Sequence, residues 1–112
     1  MKKKFILAAG ILLLFFACSK SSTSFTAECD GTKSYATDVS PVIQSYCATR
    51  SGCHGSGSTN GPGALTSYAQ VYSARNAIRT AVTNGTMPQN SSLSTEQKNS
   101  IICWIDSGAS NN

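Results

Sequence analysis

The sequence predicts a small all-α domain of three to four helices joined by long loops. Apolar residues recur at helical spacing in three segments, each opened by a helix start signal. No segment shows the alternation of a half-buried strand, and the chain contains no internal repeat. Between the helical segments lies a Gly/Ser-rich stretch whose composition forms no packed element.

The chain opens with Lys2, Lys3 and Lys4, followed by an apolar run over residues 5–17 broken only by Gly10. That run is shorter than the ~20 residues a membrane-spanning helix needs, so residues 1–17 read as an export signal outside the fold. The junction Leu14-Phe15-Phe16-Ala17-Cys18 resembles the lipobox of bacterial lipoproteins, in which the Cys becomes the acylated first residue. Phe15 and Phe16 depart from the commoner Leu-then-small pattern, and an ordinary cleaved signal with an incidental Cys is the other reading. Acylation at Cys18 would tether the domain to a membrane of the cell envelope, at about 0.8 kcal/mol per buried CH₂. Residues 18–28 form a Ser/Thr-rich tether, and residues 29–112 form the domain.

The first domain helix starts at Ser40-Pro41, with a hydroxyl N-cap and proline at N1. Val42, Ile43 and Tyr46 give it an apolar face that leads into Cys47. Residues 55–63, Gly-Ser-Gly-Ser-Thr-Asn-Gly-Pro-Gly, make a loop. Thr66 or Ser67 caps the next helical stretch, which runs from Tyr68 with Ala74, Ile78, Ala81 and Val82 on one side and stops at Asn84-Gly85. Pro88 disfavours a helical Met87, so Thr86-Met87-Pro88-Gln89 is a turn or extended piece. In the last helix Ser94 and Gln97 form a capping box, Ile101, Ile102, Trp104 and Ile105 form the apolar stripe, and Gly108 ends it. Trp104 reads as core, while Arg75 and Arg79, four residues apart, read as a solvated face.

Composition narrows the function. The whole chain carries a formal charge of +4, but three of the lysines belong to the export signal. Without them the balance is about +1, which gives no basic patch and argues against a nucleic-acid partner. About 95 residues from Cys18 onward support one small domain with a thin core, of the kind that needs a disulfide, metal or cofactor staple. Export permits disulfides.

The chemistry-bearing segment is Cys47-Ala48-Thr49-Arg50-Ser51-Gly52-Cys53-His54, which contains the single histidine of the chain. Two cysteines, the second directly followed by a histidine, are the attachment signal of a c-type haem, here with five residues between the cysteines where the familiar motif has two. Apart from the initiator, Met87 is the sole methionine, held on an irregular segment stiffened by Pro88. A zinc site is weaker: adjacent Cys53 and His54 chelate one ion awkwardly, and no fourth ligand is near in sequence.

From about Asp38 to Ala109 the chain resembles the small mono-haem cytochrome c domains of bacterial lipoproteins. The landmarks are Asp38-Val39-Ser40-Pro41-Val42-Ile43, Cys53-His54-Gly55, Leu65-Thr66-Ser67-Tyr68, Thr86-Met87-Pro88 and Leu93-Ser94-Thr95-Glu96-Gln97. The resemblance implies a cytochrome c-like fold carrying one haem c. Cys47 and Cys53 would form its thioethers, His54 and Met87 would ligate the iron, and a backbone carbonyl near Pro62 would accept from the His54 ring. Two thioethers, one through Cys53, or no haem with a Cys47–Cys53 disulfide all remain open at this stage. If the haem takes Cys47 and Cys53, then Cys29 and Cys103 are left as a pair. Their bridge would close a loop of about 75 residues and stabilise the fold by roughly 4 kcal/mol.

The expected function is therefore electron transfer by a membrane-tethered, extracytoplasmic protein with His54/Met87 haem ligation, exchanging electrons with redox partner proteins of the cell envelope. It would not be an enzyme, since no nucleophile–base pair or substrate motif is present. The alternative is a haem-free, disulfide-stapled lipoprotein domain that serves binding or assembly at the cell envelope.

Overall fold

In a computed structural model, residues 23–112 are described. The export signal and Cys18 lie outside them. The order of elements is a π-helical turn, Tyr35–Val39, then α1, Ser40–Tyr46, α2, Tyr68–Asn84, and α3, Thr95–Asp106. This is a small all-α domain of three helices with long intervening loops. None of the helices among the described residues is long and apolar enough to cross a membrane.

The chain turns helical earlier than Ser40-Pro41 suggests. Ser34 sits in extended backbone, and its hydroxyl accepts from Thr37 N–H. Its own N–H donates to the Asp38 carboxylate at 2.7 Å. The wide turn that follows is closed by Val39 N–H to Ser34 O and Ser40 N–H to Tyr35 O. Pro41 has no N–H to offer the carbonyl four residues back, so the ordinary helical register cannot run unbroken across this junction. Ser40 is therefore inside the helical run rather than its cap.

The other two helices start where their hydroxyls indicate. Ser67 and Gln70 form a reciprocal capping box on α2, and Ser94 and Gln97 form one on α3. Gly85, at φ 70°, ends α2 in the left-handed conformation that favours glycine.

The core lies where α2, α3 and the π turn meet. Val39, Ile43, Leu65, Val71, Ile101, Ile102 and Trp104 are all buried. Trp104 packs with Tyr35 and Tyr68 at ring-centroid distances of 5.5 and 6.3 Å, within the range for favourable aromatic pairs. The polar ends of these rings are satisfied by the chain after α3: Trp104 Nε1–H donates to Ser110 O and the Tyr68 hydroxyl to Ala109 O, both at 2.8 Å.

A disulfide joins Cys29 to Cys103, tying the segment before the helices to α3. Beside it, Phe25 N–H donates to Thr83 O and Glu28 N–H to the Asn99 side chain. Residues 25–28, read from sequence as tether, are thus held against α2 and α3.

Candidate functional site

The site is built on the loop that leaves α1. Cys47 caps that helix, its N–H donating to Ile43 O. The chain then curls back on itself. Cys53 N–H and Gly55 N–H both donate to Arg50 O, at 3.0 and 2.8 Å, and His54 N–H donates to Cys47 O at 3.0 Å. Gly55 is needed for this curl: a Cβ there would lie 2.6 Å from the Arg50 carbonyl carbon, closer than real Cβ contacts allow. Further bonds fix the curl from outside. The Ser58 hydroxyl donates to Cys53 O, the Asn60 amide to Gly52 O at 2.8 Å, and Leu65 N–H to His54 O at 2.8 Å.

His54 is buried, and its Nδ1 lies 2.9 Å from Gly63 O. A carbonyl only accepts, so Nδ1 carries a proton and donates it to Gly63 O. The accepting carbonyl is one residue past Pro62, close to the position that the resemblance implied. Cys47 and Cys53 are both free and half-buried. Burial, with a smaller contribution from the charge of Cys53, pushes the Cys47 thiol up to about 11.

Opposite this loop, Gly85 turns the chain out of α2 into the segment carrying Met87 and Pro88. Between the two segments lies a cleft of about 520 Å³, a size typical of small-molecule sites. Its soft and apolar lining comes from Tyr46, Cys47, Cys53, Met87 and Pro88, with His54 beside them. Its polar lining comes from Ser45, Thr49, Asn60, Gln89, Asn90 and Ser91. Arg50 is the one charged residue among the lining.

The four residues singled out for the haem, Cys47, Cys53, His54 and Met87, therefore all border one cleft. Among the described residues, no three His, Cys, Asp or Glu side chains come together as a group that could hold a metal ion. The expectation of a bound haem c, with its iron centre, metal binding, cytochrome identity and electron-transfer function, is corrected on that ground. The staple found in the structure is the Cys29–Cys103 disulfide, the pair named in the sequence, while Cys47 and Cys53 are not bonded to each other; a disulfide-stapled helical domain fits the haem-free alternative in that coarser sense.

Sequence reasoning missed Tyr46, Arg50 and the 89–91 segment as cleft residues. Arg50 sits inside the Cys47–Cys53 interval, so its position was available as a signal. Gln89, Asn90 and Ser91 carry no signal beyond a polar stretch after Pro88. Of the pair read as a solvated face, Arg79 forms two hydrogen bonds to Asp106, at 2.7 and 2.9 Å. Arg75 lies over the exposed Tyr72 ring, 4.0 Å from its centroid. Neither arginine is among the residues lining the cleft.

No protein-family model, curated protein or solved structure matches this chain.

Proposed function

We propose that the protein is a disulfide-stapled binding domain, held at the cell envelope by a lipid anchor on Cys18, whose cleft takes a small organic ligand. Binding or assembly, rather than catalysis or electron transfer, is its role. The observation that supports this reading is the cleft itself: about 520 Å³ of space opened by the loop after α1 and the Met87-Pro88 segment. Its lining also indicates the ligand chemistry. Met87, Pro88 and Tyr46 offer contact to an apolar body, neutral amides and hydroxyls offer hydrogen bonds, and Arg50 offers a counter-charge to one anionic group.

Anilinonaphthalene sulfonate, an apolar aromatic anion, is a suitable probe because its fluorescence rises when its rings leave water. The full chain should bind it. Ser45→Trp, which places a large ring at an exposed position on the cleft wall, should weaken binding by about tenfold or more, equivalent to ~1.4 kcal/mol. Arg50→Gln should weaken it by a smaller factor. Undiminished binding by Ser45→Trp would show that the cleft is not the site.

A further inference from the structure

Two thiols remain free among the described residues, and both border the cleft. Their placement follows from the curl of the loop. His54 N–H donates to Cys47 O at 3.0 Å. With standard bond lengths on either side, that contact holds the Cys47 and Cys53 Cα atoms within about 8 Å of each other. A disulfide needs Cα atoms about 4.4–6.8 Å apart, so even at the far end of that bound the two Cα atoms have only about an ångström to close. The intervening segment can supply it. Thr49, Arg50, Ser51 and Gly52 are exposed, and a Cβ on Gly52 would have no neighbour nearer than 4.0 Å. Cys29 and Cys103 do not compete for these thiols, because they are already bonded to each other.

We infer that Cys47 and Cys53 are a redox-active dithiol, which closes to an intramolecular disulfide and thereby reduces the capacity of the cleft for its ligand. This rests on the cleft being the binding site. The oxidant is a disulfide, either small or carried by a thiol oxidoreductase. One cleft thiolate attacks a sulfur of that disulfide, forming a mixed disulfide and releasing one thiolate. The second cleft thiolate then attacks the protein sulfur of the mixed disulfide and releases the other. Two protein thiols lose two electrons and two protons, and the oxidant leaves as two thiols. Closure removes both thiols from the cleft wall and ties the end of α1 to the residue before His54.

The test is an incubation of the full chain in buffers of oxidised and reduced glutathione, followed by alkylation and tryptic mass mapping. Trypsin cuts after Arg50, between the two cysteines, so a Cys47–Cys53 bond holds together two peptides that otherwise separate. Cys29 and Cys103 lie in other tryptic peptides and are read separately. The expected result is the joined pair in oxidised buffer and two alkylated peptides in reduced buffer. Cys47→Ser and Cys53→Ser should each stop at a glutathione adduct on the remaining thiol. Both thiols staying alkylatable in oxidised buffer would overturn the inference.

Anilinonaphthalene sulfonate binding, measured on the same samples, should fall several-fold on oxidation. In the Cys47→Ser/Cys53→Ser double variant it should not respond to the glutathione ratio. Equal binding in both redox states of the parent would also overturn the inference. Absence of binding in either state would instead overturn the cleft as the binding site, whatever the mass map shows.

Discussion

The two cysteine pairs of this domain stand in contrasting surroundings. Cys29–Cys103 is bonded, and Cys103 lies on the buried face of α3 beside Ile102 and Trp104. Cys47 and Cys53 are unbonded, half-buried and beside an open cleft. The first region gains stability from packing and from a cross-link over a long stretch of chain. The second is held mainly by backbone hydrogen bonds inside one loop, and it leaves its side chains available. In so small a chain the separation is physically sensible. A thin core needs a staple, whereas a site that exchanges ligand or electrons with its surroundings needs groups that the core does not consume.

The largest effect that would separate the two regions is expected at Trp104. Trp104→Ala removes a fully buried ring and leaves Ser110 O without its donor. A loss of about 3–5 kcal/mol is expected in denaturant unfolding. Next comes the staple. The bridge spans 74 residues in sequence, and its removal by Cys29→Ser/Cys103→Ser should cost about 2–4 kcal/mol. With Cys47 and Cys53 in their reduced form, the equivalent change at these two residues should cost under about 1 kcal/mol, because no bond is lost. Equal costs for the two pairs would erase the contrast.

Gly55→Ala tests the loop region directly. The added methyl group meets Arg50 backbone, which cannot swing aside as a flexible side chain would. Destabilisation of about 1–3 kcal/mol is expected, together with weaker probe binding as the curl opens. Retained binding at full strength would detach the cleft from the loop geometry.

The smallest effect concerns Arg79 and Asp106, which are more than two-fifths exposed. Hydrogen bonding to Arg79 holds the Asp106 carboxyl below its usual range. Its contribution is therefore present above the unfolded carboxylate pKa and is lost as pH falls through the lower folded-state value. Arg79→Gln should cost under about 1 kcal/mol at neutral pH, and less in acid.

Much of the frame was legible in the sequence because it is set by local chemistry. Ser94 with Gln97 signals a helix start by residue type and spacing, Thr66 or Ser67 offers a hydroxyl cap for α2, and Gly85 signals a stop; the Gln70 half of the α2 capping box emerged only in the structure. The π turn was not legible. Ser40-Pro41 reads as a sufficient start, and only the Ser34 and Asp38 hydrogen bonds reveal the earlier turn. The site was partly legible. Cys47, Cys53, His54 and Met87 were marked by rarity and motif, and the fold brings them to one cleft. The resemblance then suggested a haem centre, which the observed arrangement does not support. Sequence spacing shows which ligand-type residues are present but not whether three His, Cys, Asp or Glu side chains gather as a metal-holding group, and among the described residues none do.

The central claim is most directly tested by an absorption spectrum. The full chain would be exported from cells that supply cytochrome maturation factors, purified and examined with and without denaturant. The account predicts a colourless protein with no haem absorption and a polypeptide mass that includes no porphyrin. A haem band that survives denaturation, with the matching added mass on a peptide containing Cys47 or Cys53, would contradict it.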